Sequence, residues 1–113
     1  ANAAATYGCT LDVINMGGAN GAECDPALVS RISDILANMP QVTEVLPSIP
    51  FGGSEDITTM MRHVQSGGGQ ATELILAMPL IAPHHSSRFD VDEKVIPLGA
   101  EILAELALSL GRN

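Results

Sequence analysis

The run Leu74-Ile75-Leu76-Ala77-Met78, stopped by Pro79, constrains the fold more than any other stretch. Consecutive apolar residues without alternation cannot line one wet and one dry face. They suit a strand covered on both sides, and such strands sit in sheets flanked by helices. The rest of the sequence offers those helices. Asp25-Pro26 is a helix start, with Asp as N-cap and Pro at the first helical position. Leu28, Val29, Ile32, Ile35, Leu36 and Met39 then recur on one face until Pro40. Ser54 caps a second helix whose first turn carries Glu55 and Asp56, suited to the positive end of the helix dipole. Its apolar positions are Ile57, Met60, Met61 and Val64, with Met as core filler, and Gly67-Gly68-Gly69 ends it. A last helix, ended by Gly111, turns Val95, Leu98, Ile102, Leu103, Leu106 and Leu110 inward.

The expectation is an α/β layer with strands at 71–78 and 42–46 and helices at 26–38, 56–65 and 97–110. The last start stays open. With Asp90 or Asp92 as N-cap, Pro97 falls inside the helix and removes a bond; if Ile96 precedes the helix, Pro97 takes the tolerated first position. Residues 1–7 read as a helix end closed by Gly8, and 9–16, β-branched and closed by Gly17-Gly18, as a strand outside this core. The G-G-x-x-G pattern at 17–21 invites a phosphate-loop reading, but the helix opens four residues later and the reading is set aside. The chain opens on Ala1 rather than Met, which processing or excision from a longer protein would each explain.

With 3% aromatic residues and no Trp, the core must rest on aliphatic side chains, which at 46% hydrophobic content are ample for one domain or part of one. A formal charge of −8, from five Lys and Arg against thirteen Asp and Glu, excludes nucleic acid and anionic membranes as partners. No apolar run reaches a membrane span, and Ala1-Asn2-Ala3-Ala4-Ala5 lacks the basic start of a signal peptide. Cys9 and Cys24 share no metal or redox spacing and read as free thiols, as in the cytoplasm.

Chemistry concentrates in His84-His85-Ser86-Ser87-Arg88-Phe89-Asp90-Val91-Asp92-Glu93, where two imidazoles and three carboxylates fall within ten residues. Neutral imidazole is the commonest ligand for catalytic transition metals. A catalytic zinc needs about three protein ligands, so this loop alone cannot complete a site. Asp90 with Glu93 is equally a D-x-x-E capping pattern.

Gly53-Ser54-Glu55-Asp56, followed by the paired histidines and the F-D-x-D-E element at 89–93, resembles the C-terminal part of the M20 metallopeptidase and amidohydrolase superfamily. The similarity is greatest to its p-aminobenzoyl-glutamate hydrolase and aminoacylase branch. The resemblance covers nearly the whole chain. It implies a zinc-peptidase-like catalytic domain, sheet strands covered by helices, over 18–113, and the end of a ferredoxin-like lid (dimerisation) domain over 1–17. It implies a divalent metal, Mn or Zn, with His85 as the ligand by register on Phe89 and His84 as the neighbour. Gly53 and Ser54, on a glycine-rich turn before a helix N-terminus, read first as a plain turn and cap; the alternative is that their backbone N–H groups serve a substrate carboxylate. No H-x-D or E-E element replaces the remaining ligands and the general base, so the isolated chain is expected to be inactive and to hold metal poorly.

The implied function is cleavage of a small-molecule amide between an acyl or aroyl group and an amino acid. The competing class is a non-catalytic interaction module. An enzyme segment should expose an apolar seam, whereas a self-sufficient module should bury its strands. Unpaired strand edges also imply a homo-oligomer, the other possible partner being a second hydrolase subunit.

Overall fold

The computed structural model describes residues 2–50 and 55–111, and the regular structure among them is four helices. α1 (Asn2–Thr6) ends in a Schellman arrangement. Gly8 takes φ +67°, its N–H donates to the Ala5 carbonyl at 3.1 Å, and the Cys9 N–H donates to that of Ala4 at 3.0 Å. α2 (Pro26–Ala37) begins at the expected Asp25-Pro26. α3 (Ile57–Ser66) has Asp56 as its N-cap, and the predicted cap Ser54 lies outside the described residues. It stops at the glycine triplet, where one position needs left-handed backbone and the next passes close to the helix. Gly68 sits at φ +83°, and a Cβ on Gly69 would stand 2.7 Å from Val64 Cγ1. α4 (Val95–Leu110) follows Lys94, which puts Pro97 third in the helix. That start lies between the two expected. It is tolerated because N–H groups of a first turn have no intrahelical acceptor, so Pro97 removes no bond.

α2 and α4 pack through Ile32, Leu36, Ile102 and Leu106, with Leu28, Ile35, Met39, Leu98 and Leu110 around them and Val42 and Val45 at the edge. The periodicity read from sequence selects these faces, apart from Val29 and Val95, half-buried but outside this cluster, and Leu103, which is 65% exposed. In α3 Met61 is buried, while Met60 and Val64 face outward.

The α/β expectation, with its sheet strands and ferredoxin-like lid strand, is overturned: the described residues contain no strand. Residues 9–16, 42–46 and 71–78 are irregular, and none is hydrogen-bonded to another. Apolar and β-branched composition says that a segment tolerates an extended backbone. A strand exists only where a second segment supplies partners for its N–H and C=O groups. Here the backbone bond spanning the longest sequence separation is the Asp25 N–H to the Ala71 carbonyl, 3.0 Å. Leu74, Ile75 and Leu76, expected buried on both faces, are all exposed, and so are Leu11, Val13, Ile14 and Met16.

The chain is accordingly spread out, 65 × 41 × 18 Å with a radius of gyration of 19.8 Å. A compact domain of this length has about 13 Å. Its accessible surface is 9231 Å², against about 5,900 Å² for a compact protein of this mass, a surplus of about 3,300 Å².

Candidate functional site

The histidine loop hangs between the 74–78 run and α4. Ala82 is buried and anchors its entry. The Ser86 N–H donates to the Pro83 carbonyl at 3.2 Å, closing a turn with His84 and His85 at its corners. His85 takes φ +63°, the third-position geometry of a type II turn, which His tolerates better than most non-glycine residues. A second turn follows at once, with the Phe89 N–H donating to the Ser86 carbonyl at 3.0 Å and the Arg88 N–H to Ser86 Oγ at 3.2 Å. The rings of His84 and Phe89 lie 5.0 Å apart at 31°. Both imidazoles are exposed.

The carboxylates shape the chain locally. Asp90 Oδ1 accepts the Val91 N–H at 2.9 Å and Asp92 Oδ1 the Lys94 N–H at 3.1 Å. The Asp92 carbonyl then accepts the Val95 N–H at 3.0 Å and starts α4. No side-chain bond caps that helix, so the D-x-x-E capping pattern is not formed. Among the described residues, no three of His, Cys, Asp and Glu gather closely enough to hold a metal ion. The donors described do not by themselves make a complete metal site. Gly53 and Ser54, expected at the substrate carboxylate, lie outside the described residues.

Asp25 has a role the sequence did not disclose. Its Oδ2 makes no cap bond; it accepts the Ala71 N–H at 2.7 Å and Gln65 Nε2 at 2.8 Å. Gln65 Nε2 also donates to the Glu23 carbonyl at 2.8 Å, and Arg62 Nη1 to that of Gly21 at 3.3 Å. The Ala71 N–H first, and then the Gln65 amide, hold the Asp25 carboxyl below its usual value, with desolvation opposing them. This junction ties the 21–25 loop, the end of α3 and residue 71 together. No spacing signal could have found it, because the partners are 40 and 46 residues away.

Two clefts flank α2. One of about 510 Å³ is lined by Val29, Ile32, Ser33, Val45, Ile49 and Leu74 among others, and one of about 540 Å³ by Met39, Gln41, Glu101 and Leu108 among others. Neither includes a residue of the histidine loop.

The chain is 36% identical over 108 residues to indole-3-acetyl-aspartic acid hydrolase of Enterobacter agglomerans, covering 95% of this chain and 25% of that protein. It is 34% identical over 108 residues to one of the named subunits of p-aminobenzoyl-glutamate hydrolase from Escherichia coli (strain K12), with the same coverage of 95% and 25%. A homologue of that hydrolase subunit from Haemophilus influenzae is 36% identical over 86 residues, 76% of this chain and 20% of that protein. No family model and no solved structure matches the chain. Over nearly all its length the chain is thus related to proteins named as hydrolases, and it spans a quarter or less of their length. No helix among the described residues is long and apolar enough to cross a membrane.

Proposed function

We propose that this chain is the C-terminal segment of a metal-dependent amidohydrolase of the M20 type, which cleaves the amide between an acyl or aroyl group and an amino acid. Both named substrates of the relatives, indole-3-acetyl-aspartic acid and p-aminobenzoyl-glutamate, are amides of this kind. The observation that carries the reading is this relationship to proteins about four times as long, over 95% of the chain. The uncovered surface supports it. A standard interface buries about 800 Å² on each partner, so an interaction module accounts for only a fraction of the surplus of about 3,300 Å².

In this reading residues 1–17 close the lid (dimerisation) domain and 18–113 belong to the catalytic domain of a cytoplasmic homo-oligomer, whose further partner is a second hydrolase subunit. His85 contributes one imidazole to a divalent ion, Mn or Zn, whose other ligands and general base come from elsewhere in the polypeptide. When bound, that ion supplies polarisation of the amide carbonyl and acidification of a water. Gly53 and Ser54 bind the substrate carboxylate through backbone N–H groups.

The test compares the isolated chain with the longer polypeptide, following release of free glutamate from p-aminobenzoyl-glutamate with Mn or Zn added. The isolated chain should be inactive. In the longer protein His85→Ala should remove most of the turnover and His84→Ala less. Intact-enzyme rates from the isolated chain, or full activity of His85→Ala, would overturn the proposal.

A further inference from the structure

We infer that Phe89 is a positioning residue: its ring holds the imidazole of His84 and leaves that of His85 as the one the loop presents. The catalytic consequence rests on the metal-ligand reading above; the geometry does not. Two adjacent exposed imidazoles are chemically alike, so the choice between them must come from how the backbone and its neighbours treat each ring. Ser86 makes that choice through three bonds. Its N–H closes the turn on Pro83, its carbonyl accepts from Phe89, and its Oγ accepts from Arg88. The first turn puts His85 at φ +63° and His84 at the preceding corner, so the two side chains leave on different bearings. The second brings Phe89 back to His84, with ring centroids 5.0 Å apart, inside the attractive range for paired rings. His85 has no ring contact, hydrogen bond or ion pair through its side chain among the described residues. A loose His84 would compete for the same ion in a second geometry. With His84 held, one donor remains.

The first test needs no substitution. In the wild-type protein, ring protons of His84, and not those of His85, should show nuclear Overhauser contacts to Phe89 and an upfield ring-current shift relative to His63. With metal removed by chelator, diethyl pyrocarbonate should modify His85 about two- to tenfold faster than His84, the factor that an aromatic pair is worth. Phe89→Leu should bring the two rates together, and Phe89→Tyr should keep them apart. Phe89 is 38% exposed, so neither change hollows a core. Absence of the His84–Phe89 contact in the wild type, or an unchanged rate ratio in Phe89→Leu, would overturn the inference. Equalised rates in Phe89→Leu alongside full activity of His85→Ala in the longer protein would uphold the positioning and sink the metal-ligand reading. An inactive His85→Ala with an unchanged ratio would do the reverse.

Discussion

Ile102 and Leu103 are neighbours on α4 with opposite surroundings, and truncating each in turn reads out what covers the helix. Ile102 is 6% exposed and packs with Ile32, Leu36 and Leu106, whereas Leu103 is 65% exposed. Ile102→Ala deletes three carbons, about 2.4 kcal/mol at roughly 0.8 kcal/mol each, plus a cavity term. Half-buried Leu28, Ile35, Leu98 and Leu110 can settle into the space, so the cost should stay near about 2–3 kcal/mol. Leu103→Ala in the isolated chain loses only the covered third of a side chain worth about 1.5–3 kcal/mol, so about 0.5–1 kcal/mol. Urea unfolding followed by helical ellipticity should therefore shift by about 1–2 M for Ile102→Ala and well under 1 M for Leu103→Ala. In the longer polypeptide the outer face of α4 should be covered, and Leu103→Ala should lose about 1–2 kcal/mol more, approaching Ile102→Ala. Equal shifts in the isolated chain would refute the packing described for α4. A mild Leu103→Ala in the longer protein would refute the covering argument.

Gly68→Ala should destabilise α3 by about 1–2 kcal/mol, because φ +83° is left-handed backbone; a thermal melt unchanged from wild type would contradict it. Asp25 gives a pH signature. Its folded pKa lies below the ordinary 3.8, so the stabilisation is present above 3.8 and is lost as pH falls through the lower folded value. Hydrogen-exchange protection of the Ala71 amide, corrected for intrinsic rates, should be flat well above 3.8, decline as pH falls past it and be lost below the folded value. Protection that survives in Asp25→Ala would remove the carboxylate from the explanation.

The helices were legible because their signals are local. Asp25-Pro26 opens α2, Gly8 and Gly68 supply the left-handed residues that close α1 and α3, and the apolar spacing names Ile32, Leu36, Ile102 and Leu106. The start of α4 was ambiguous because Asp90, Asp92 and Pro97 each carry a start signal, and Lys94 between them carries none. Partners distant in sequence were not legible. Nothing at Asp25 points to Gln65 or Ala71. In the histidine loop the sequence supplied the residues, while the left-handed His85 and the His84–Phe89 pair are consequences of how Ser86 joins two turns.

The same apolar run that suggested a sheet now bears on what the chain must pack against. Leu76 approaches α4 so closely that a Cβ on Gly99 would lie 3.3 Å from its Cδ1, so the run is covered on that side by a helix. Leu74, Ile75 and Leu76 are still 40%, 50% and 39% exposed, and Ile96, Leu103 and Leu108 on α4 are more so. A helix apolar on more than one face is stable in water only when more than one face is covered. α2 covers one face of α4, through Ile102 and Leu106. A surface that covered these residues would have to be apolar at α4 and at 74–76, with Glu101 and Glu105 at its rim. A second copy docking through an ordinary interface of about 800 Å² can satisfy one of these surfaces. In the proposed longer polypeptide both would be covered together, by contacts on the scale of a domain core. If dimerisation alone brought Leu103 and Leu76 to the solvent protection of Ile102, the need for a longer polypeptide would disappear.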